Sequence, residues 1–169
     1  MAVRSNNDII KGDELWLFIG TKDSEAPIAF ATSCSLNRSL STNSVSSKDH
    51  GTSSYVTLGE GSWTASTEAL YSVTQYSTLM DLFTTGEKVS VKFGTISNYS
   101  GEGIVDPSNH AIWAMSSDCW QGEGYFTSLQ ATGNHGDAAT FSAEITGTGK
   151  ITKVGSNNPS GGATGVAAG

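Results

Sequence analysis

Apolar and polar residues alternate one by one through several short segments of this 169-residue chain. The clearest case is the segment 139–146, which sets Ala139, Phe141, Ala143 and Ile145 on one side and Thr140, Ser142, Glu144 and Thr146 on the other. Successive side chains of a β-strand point to opposite faces, so this period of two predicts strands with one buried and one wet face. Ser and Thr, which make up about a quarter of the chain, also favour strands and turns over helices. The pattern predicts a mainly β protein.

Six segments have the pattern of a strand, namely 13–20, 28–36, 61–67, 87–93, 119–131 and 139–147. The last two are predicted to form a hairpin, since the turn-rich sequence TGNHGD joins them. A single helix is predicted over about 74–85, because apolar residues recur there at spacings of three and four. These residues are Val73, Tyr76, Leu79, Met80 and Phe83, and we expect Met80 and Phe83 to pack in the core. Gly86 stands where such a helix would end.

The length of the chain fits one domain with a substantial core. We expect a β domain over residues 1–154, followed by a Gly/Ser-rich C-terminal tail over 155–169 that has the composition of a linker. The polar segment 37–55 is too long for an ordinary connector and is predicted to be an extended functional loop. No segment has the apolar length of a transmembrane helix or a signal peptide, so we expect no membrane insertion and a cytoplasmic site of synthesis.

Acidic residues outnumber basic ones by 16 to 9, which gives a formal net charge of −7. Binding to nucleic acid through a basic face is therefore not expected. Residues 93–149 contain no Lys or Arg, but they contain Glu102, Asp106, Asp118, Glu123, Asp137 and Glu144. A solvated acidic face that keeps the protein soluble is one explanation of this block.

No constellation of catalytic residues stands out in the sequence. His50, His110 and His135 all lie in loop-like segments, and none has a metal-ligand spacing to another His or Cys. The pair Asp49-His50 precedes Gly51, as in many turns, and a Cys119–His135 pair would lack a third group to orient it. The sequence has neither a P-loop nor a dinucleotide fingerprint. We therefore expect no enzyme activity, no cofactor and no metal.

The order of these elements resembles the major tail tube protein of long-tailed bacteriophages. The resemblance extends from about Leu15 to Lys153, and it depends on the order and spacing of the pieces DELWLFIG, PIAFATSCSL, SSKDHG, GSWTASTEALYS, LMDLFTTGEKVSVKFG and GEGYFTSLQATGNHGDAATFSAEITGTGKITK. It implies a two-sheet antiparallel β-sandwich or barrel with one flanking helix. It also implies that subunits join their sheets into hexameric rings, which stack into a hollow tube in the virion tail, assembled in the host bacterial cytoplasm.

This resemblance suggests where the functional surfaces lie. The segment 37–55 would reach a neighbouring subunit, with Ser47, Lys48, Asp49 and His50 as inter-subunit contacts. An anionic, hydroxyl-rich wall would let genomic DNA slide through the tube without specific binding, because it offers no cation to a phosphate. The residues predicted to line the lumen are Glu123, Ser142, Glu144 and Thr146. The tape measure, tail terminator and distal tail proteins are the implied partners.

Two other functions are compatible with the sequence. Related folds form the inner tube of contractile injection and secretion systems, so the chain could belong to such a machine. A carbohydrate-binding β-sandwich is an alternative of a different class, in which Trp113, Trp120 and Tyr125 would form aromatic platforms for sugar rings.

Overall fold

The fold is described from a computed structural model, which describes residues 10–28, 30–51, 53–96 and 115–154. Its elements, in chain order, are β1 (Leu15–Thr21), β2 (Ser24–Pro27), β3 (Ala31–Val45), β4 (Tyr55–Leu70), α1 (Val73–Thr85), β5 (Val89–Ile96), β6 (Met115–Thr132) and β7 (Thr140–Lys153). Short 3-10 turns cover Gly12–Glu14 and Lys48–His50. The prediction of a mainly β protein with one helix is confirmed. The predicted tail 155–169 lies outside the described residues.

The seven strands form one antiparallel sheet in the order β2-β1-β5-β6-β7-β4-β3. The second sheet of the predicted sandwich is therefore not found among the described strands. Instead, the sheet curls over itself: the Cys34 thiol on β3 donates a hydrogen bond to the carbonyl oxygen of Leu15 on β1 at 3.1 Å, although these strands stand far apart in the order. Alternation in the sequence predicts that a strand has a buried face, but it does not say whether a second sheet or the same sheet covers that face.

The core fills the concave side of the curled sheet. Its buried residues come from most strands and from the helix: Leu17, Ile19, Ile28, Trp63, Ala65, Ala69, Leu79, Val89, Val91, Phe141, Ile145 and Ile151. On β7 the predicted alternation is confirmed, since Phe141, Ala143 and Ile145 are buried while Glu144 and Thr146 are exposed. The hairpin of β6 and β7 is also found as predicted.

The helix α1 agrees closely with its prediction over about 74–85. It begins at Val73 and ends before Gly86, which adopts the left-handed conformation with φ of 64°. Only part of the predicted apolar face is buried, because Val73 is 70% and Phe83 39% exposed. Leu79 is buried and Leu82 packs beside it against the core. The predicted core packing of Phe83 is therefore largely absent, and Met80 is only partly buried.

The prediction of an extended loop over 37–55 is wrong for residues 37–45, because β3 continues to Val45 and pairs with β4 from Ala31↔Ala69 to Val45↔Tyr55. Apolar residues are sparse there, so alternation is hard to see, while the ladder needs only backbone groups and hydroxyl pairs. A cross-strand hydroxyl pair lies within this part, with Ser39 Oγ at 2.8 Å from Ser62 Oγ. Because β4 pairs with β7 only from Thr64 onward, residues 38–45 and 55–63 form a two-stranded arm, about 25 Å long, beyond the body of the sheet.

Candidate functional site

The side of the sheet opposite the core carries rows of hydroxyl and carboxylate side chains across four adjacent strands. We call this surface of β3, β4, β7 and β6 the polar face. Residues directly opposite each other in a ladder share a face. One row therefore runs from Ser35 through Ser66 and Glu144 to Ser128. The rows on either side of it are Ser33, Glu68, Ser142 and Gln130, and Asn37, Thr64, Thr146 and Tyr125.

The four residues predicted to line a lumen all lie on this face. Ser142, Glu144 and Thr146 occupy successive outward positions of β7. Glu123 lies opposite Thr148 in the β6–β7 ladder, so its side chain projects on the same side as theirs. Period-two reasoning thus placed four residues from two strands on one surface.

A groove of about 280 Å³ crosses the centre of the polar face. Its lining consists of hydroxyl residues, one alanine and two carboxylates, from Ser33, Ser66, Thr67, Glu68, Ser128, Ser142, Ala143 and Glu144. Both Glu68 and Glu144 are exposed, and none of the lining residues is basic. The groove is therefore a local concentration of negative charge.

Glu68 is the acidic residue of this groove that the sequence analysis missed. It precedes the acidic block of residues 93–149, but the sheet places its strand β4 directly beside β7, with Glu68 opposite Ser142. The signal was present in the sequence, because Thr64, Ser66 and Glu68 alternate with buried Trp63, Ala65 and Thr67. Treating those alternate positions as one surface would have identified Glu68.

Glu123 differs from Glu144 because a lysine neutralises it. Lys88 Nζ lies 2.8 Å from Glu123 Oε2, and both side chains are about half exposed. The hydrogen bond and the charge of Lys88 hold the pKa of Glu123 below its ordinary value, and Glu123 in turn raises the pKa of Lys88. Residues 93–149 contain no Lys or Arg, but the pairing of β6 with β5 brings Lys88 from outside this block next to Glu123.

The predicted inter-subunit residues lie together at the tip of the arm, far along the ladder from the groove. Lys48–His50 form a 3-10 turn preceded by Ser47, and Ser47, Lys48 and Asp49 are all exposed. Neither Lys48 nor Asp49 forms an ion pair with another residue that the structure describes.

The arm also exposes apolar side chains on the side that continues the core face. Leu40 lies opposite Gly61, Thr42 opposite Leu58 and Ser44 opposite Val56, in line with the core pair Leu36 and Ala65. Leu40 is 51%, Val56 66% and Leu58 75% exposed. The arm therefore presents an apolar strip that the described part of its own chain leaves open.

The aromatic residues considered for sugar binding do not form one platform. Trp120 pairs with core-side Phe93, whereas Tyr125 pairs with Thr146 on the polar face. Their rings thus project from opposite faces of β6, and Trp113 lies outside the described residues.

The described ranges hold neither a candidate metal site nor a candidate membrane-spanning helix. They contain no group of three or more His, Cys, Asp or Glu side chains arranged to hold a metal ion. None of their helices has the length and apolar character needed to cross a membrane.

Solved structures similar to this chain come from tail assemblies. The tail of an empty gene transfer agent particle, refined with helical C6 symmetry, matches with a TM-score of 0.64 at 15% identity, covering 86% of this chain and 99% of the other. The SPP1 tail tube matches with a TM-score of 0.61 at 10% identity, over 83% and 77%. The sixfold-symmetrised baseplate of the anti-feeding prophage contains a chain with a TM-score of 0.57 at 9% identity, over 92% and 99%. At such identities these matches establish the fold.

The family comes from a sequence comparison. No curated protein sequence matches the chain. A family model described as phage tail tube protein matches residues 10–153, which include every strand and the helix. The chain therefore belongs to the phage tail tube protein family, and it is a structural protein of the virion tail rather than an enzyme.

Proposed function

We propose that copies of this chain join into hexameric rings, and that the rings stack into a tail tube that conducts DNA into the host. The observation that carries the proposal is the arm, whose apolar strip of Leu40, Val56 and Leu58 is exposed in the single chain. Contiguous exposed apolar surface marks a site of protein contact. Since the strip lies on a two-stranded projection, it can insert against a neighbouring subunit.

Ring formation requires strand edges that remain open. Among the described strands, β2 and β3 are the two edges of the sheet. Open edges are normally blunted because they pair with other chains. A subunit whose two edges pair with different neighbours makes heterologous contacts, which form a ring when the rotation between subunits closes. Two of the similar assemblies have sixfold symmetry, which supports six subunits per ring.

The tip of the arm provides the contacts between neighbours in this proposal. Ser47, Lys48, Asp49 and His50 contact an adjacent subunit or ring, with Lys48 and Asp49 forming ion pairs there. Alanine at both Lys48 and Asp49 should weaken polymerisation. Unchanged polymerisation of that double variant would exclude the tip from the contact.

The polar face lines the bore of the proposed tube. Lys and Arg on such a wall would bind phosphates and release counterions, so that each contact would hold the DNA. On the described strands of this face, the positions from Ser33 to Asn37, Thr64 to Glu68 and Ser142 to Thr146 carry hydroxyls, an amide and the carboxylates of Glu68 and Glu144. This composition repels the DNA backbone and supports passage without specific binding.

The further partners of the subunit follow from the same proposal. In a phage tail, the tube would contact the tape measure, tail terminator and distal tail proteins, after assembly in the host cytoplasm. The likeness to a chain of the anti-feeding prophage baseplate supports a second candidate, the inner tube of a contractile injection system.

Negative-stain electron microscopy of the purified full chain tests the proposal. We expect rings or hollow tubes at high protein concentration without any added ligand. A particle that stays at the mass of one subunit under these conditions would overturn it, and binding of a glycan by that particle would favour the carbohydrate-binding alternative.

A further inference from the structure

A buried polar cluster lies beneath the edge strand β2, outside the surfaces described above. Glu25 on β2 is only 2% exposed at its side chain. Its Oε1 accepts hydrogen bonds from Ser90 Oγ at 2.6 Å and Gln121 Nε2 at 3.3 Å, and its Oε2 accepts one from Lys92 Nζ at 3.0 Å. We call Glu25, Ser90, Lys92 and Gln121 the Glu25 cluster. The predicted wet face of the strand 87–93 is in fact covered here, since Ser90 is buried.

The cluster joins strands that are not neighbours in the sheet. Glu25 lies opposite Gly20 on β1, and Gly20 in turn lies opposite Ser90 on β5. The carboxylate therefore crosses the whole width of β1 to reach β5 and β6. This path exists because Gly20 has no side chain: a Cβ there would lie 2.6 Å from the Ser24 carbonyl oxygen and 3.0 Å from the Glu25 Cα.

The backbone alone holds β2 weakly. The strand has four residues, Ser24–Pro27, and pairs only with β1. Two further contacts hold the end of the strand, namely Gln75 Nε2 to the Pro27 carbonyl oxygen at 3.3 Å and the Ile28 N–H to the Leu17 carbonyl oxygen at 3.3 Å. The cluster is thus the main side-chain link between the middle of β2 and the rest of the sheet.

We propose that Glu25 is a positioning residue for assembly, which fixes the edge strand β2 in register so that a second copy of this chain can pair with its free edge. This inference rests on the proposed function, in which the sheet edges join neighbouring subunits. A charged carboxylate with three donors around it has a single favourable position, and sliding β2 along β1 would carry the carboxylate away from its donors on β5 and β6. The cluster therefore opposes fraying of the one short edge strand in the sheet.

Hydrogen exchange of the unassembled full chain tests this inference directly. In Glu25→Gln, we expect the amides of Ser24 and Ala26, which face β1 in the ladder, to exchange about tenfold faster, since a lost charged hydrogen bond permits local opening. The amides of β7 should exchange as in the unchanged protein. The control is Asp81→Asn, which removes an exposed carboxylate on α1, outside the polar face and the Glu25 cluster, and should alter neither strand.

Two results would overturn the inference. One is exchange of β2 in Glu25→Gln at the rate of the unchanged protein, and the other is an equal acceleration of β2 and β7, which would mean general destabilisation. If Glu25→Gln does not fold, Ser90→Ala decides by the same criteria, because it removes one hydroxyl and keeps the pair of Glu25 and Lys92.

The assembly readout separates this inference from the proposed function. If the unchanged chain forms tubes and Glu25→Gln forms them at least tenfold more slowly while Asp81→Asn does not, the positioning role stands. If Glu25→Gln forms tubes as fast as the unchanged chain, that role is excluded while the tube function survives. If the unchanged chain forms no tubes at all, the proposed function fails, and with it the role of Glu25 in assembly.

Discussion

Trp63 lies where the arm leaves the body of the sheet, and its ring occupies space that glycines leave open on neighbouring strands. The indole is 3% exposed and donates from Nε1 to the Gly149 carbonyl oxygen at 3.3 Å. A Cβ at Gly147 would overlap the indole ring itself. The indole of Trp63 on β4 thus fills the space that Gly147 on β7 leaves free. This contact could not be predicted from the sequence, because it depends on the register of β4 and β7.

Gly147→Ala should destabilise the subunit by about 1–3 kcal/mol, because the buried indole cannot move away without disturbing the core. The measurement is urea denaturation of the unassembled protein. Gly133→Ala is a suitable control, since a Cβ there meets its nearest atom at 3.8 Å. Equal stability of the two variants would show that the Trp63 site can relax.

Glu25 gives the subunit a stability that depends on pH. Burial acts to raise its pKa, but the hydrogen bonds from Ser90 and Lys92 outweigh burial and lower it below the ordinary value. The other charged groups on this side are the Lys88–Glu123 pair on β5 and β6, and Lys22 near Glu123. A carboxylate with a lowered folded pKa stabilises the fold above its ordinary pKa of about 4.3 and loses this contribution as pH falls through the folded value.

At pH 7 the free energy of unfolding of the unchanged protein should therefore exceed that of Glu25→Gln. This difference should be smaller at pH 3, which lies below the ordinary pKa of the carboxylate. Urea denaturation of both proteins across this range measures the difference. A difference that stays constant with pH would mean that the carboxylate charge does not contribute to stability.

Among the elements, β7 and β3 show what alternation in a sequence can and cannot reveal. In β7, apolar Phe141 and Ile145 contrast with Ser142 and Glu144, so both the strand and its faces were predicted. The outer half of β3 is hydroxyl- and amide-rich on both faces, and a strand held by backbone pairing then has no hydrophobic signature. The extended loop was predicted for this reason.

The arm should contribute to assembly and not to the stability of the single subunit. We expect Leu58→Asp to abolish tube formation while changing the free energy of unfolding by less than about 0.5 kcal/mol, because Leu58 is 75% exposed. The matched control is Thr57→Asp, which adds the same charge on the opposite side of the same strand. Analytical ultracentrifugation and thermal melting provide the two measurements. Tubes formed by Leu58→Asp would exclude the apolar strip from the interface.

At the scale of the whole molecule, the distribution of charge had to be seen in space. The acidic block was defined along the sequence, between residues 93 and 149. The sheet order instead brings β4 beside β7 and β5 beside β6. Glu68 thereby joins Glu144 in the groove, and Lys88 neutralises Glu123. Neighbouring strands of a sheet come from distant parts of the chain. Counting acidic residues along the sequence therefore predicted an acidic face correctly, but it omitted Glu68 and the neutralising Lys88.

The polar face therefore has one strongly anionic region, and its role in DNA passage can be tested by reversing it. Glu68→Lys combined with Glu144→Lys replaces two negative charges with two positive ones in every subunit, at exposed positions that leave the core intact. If this face lines the bore, the lysines bind phosphates, so genome delivery should slow. Added salt should restore it, because each phosphate contact is weakened as counterion concentration rises.

The matched control for that experiment is Asp81→Lys on the exposed side of α1, which adds positive charge away from the polar face. Delivery is measured as the rate of DNA release from particles carrying each variant, after electron microscopy has shown normal tubes. Normal delivery through tubes of the double variant would place the groove on the outside of the tube. Slow, salt-sensitive delivery in that variant alone would identify the rows around Glu144 as the wall along which DNA moves.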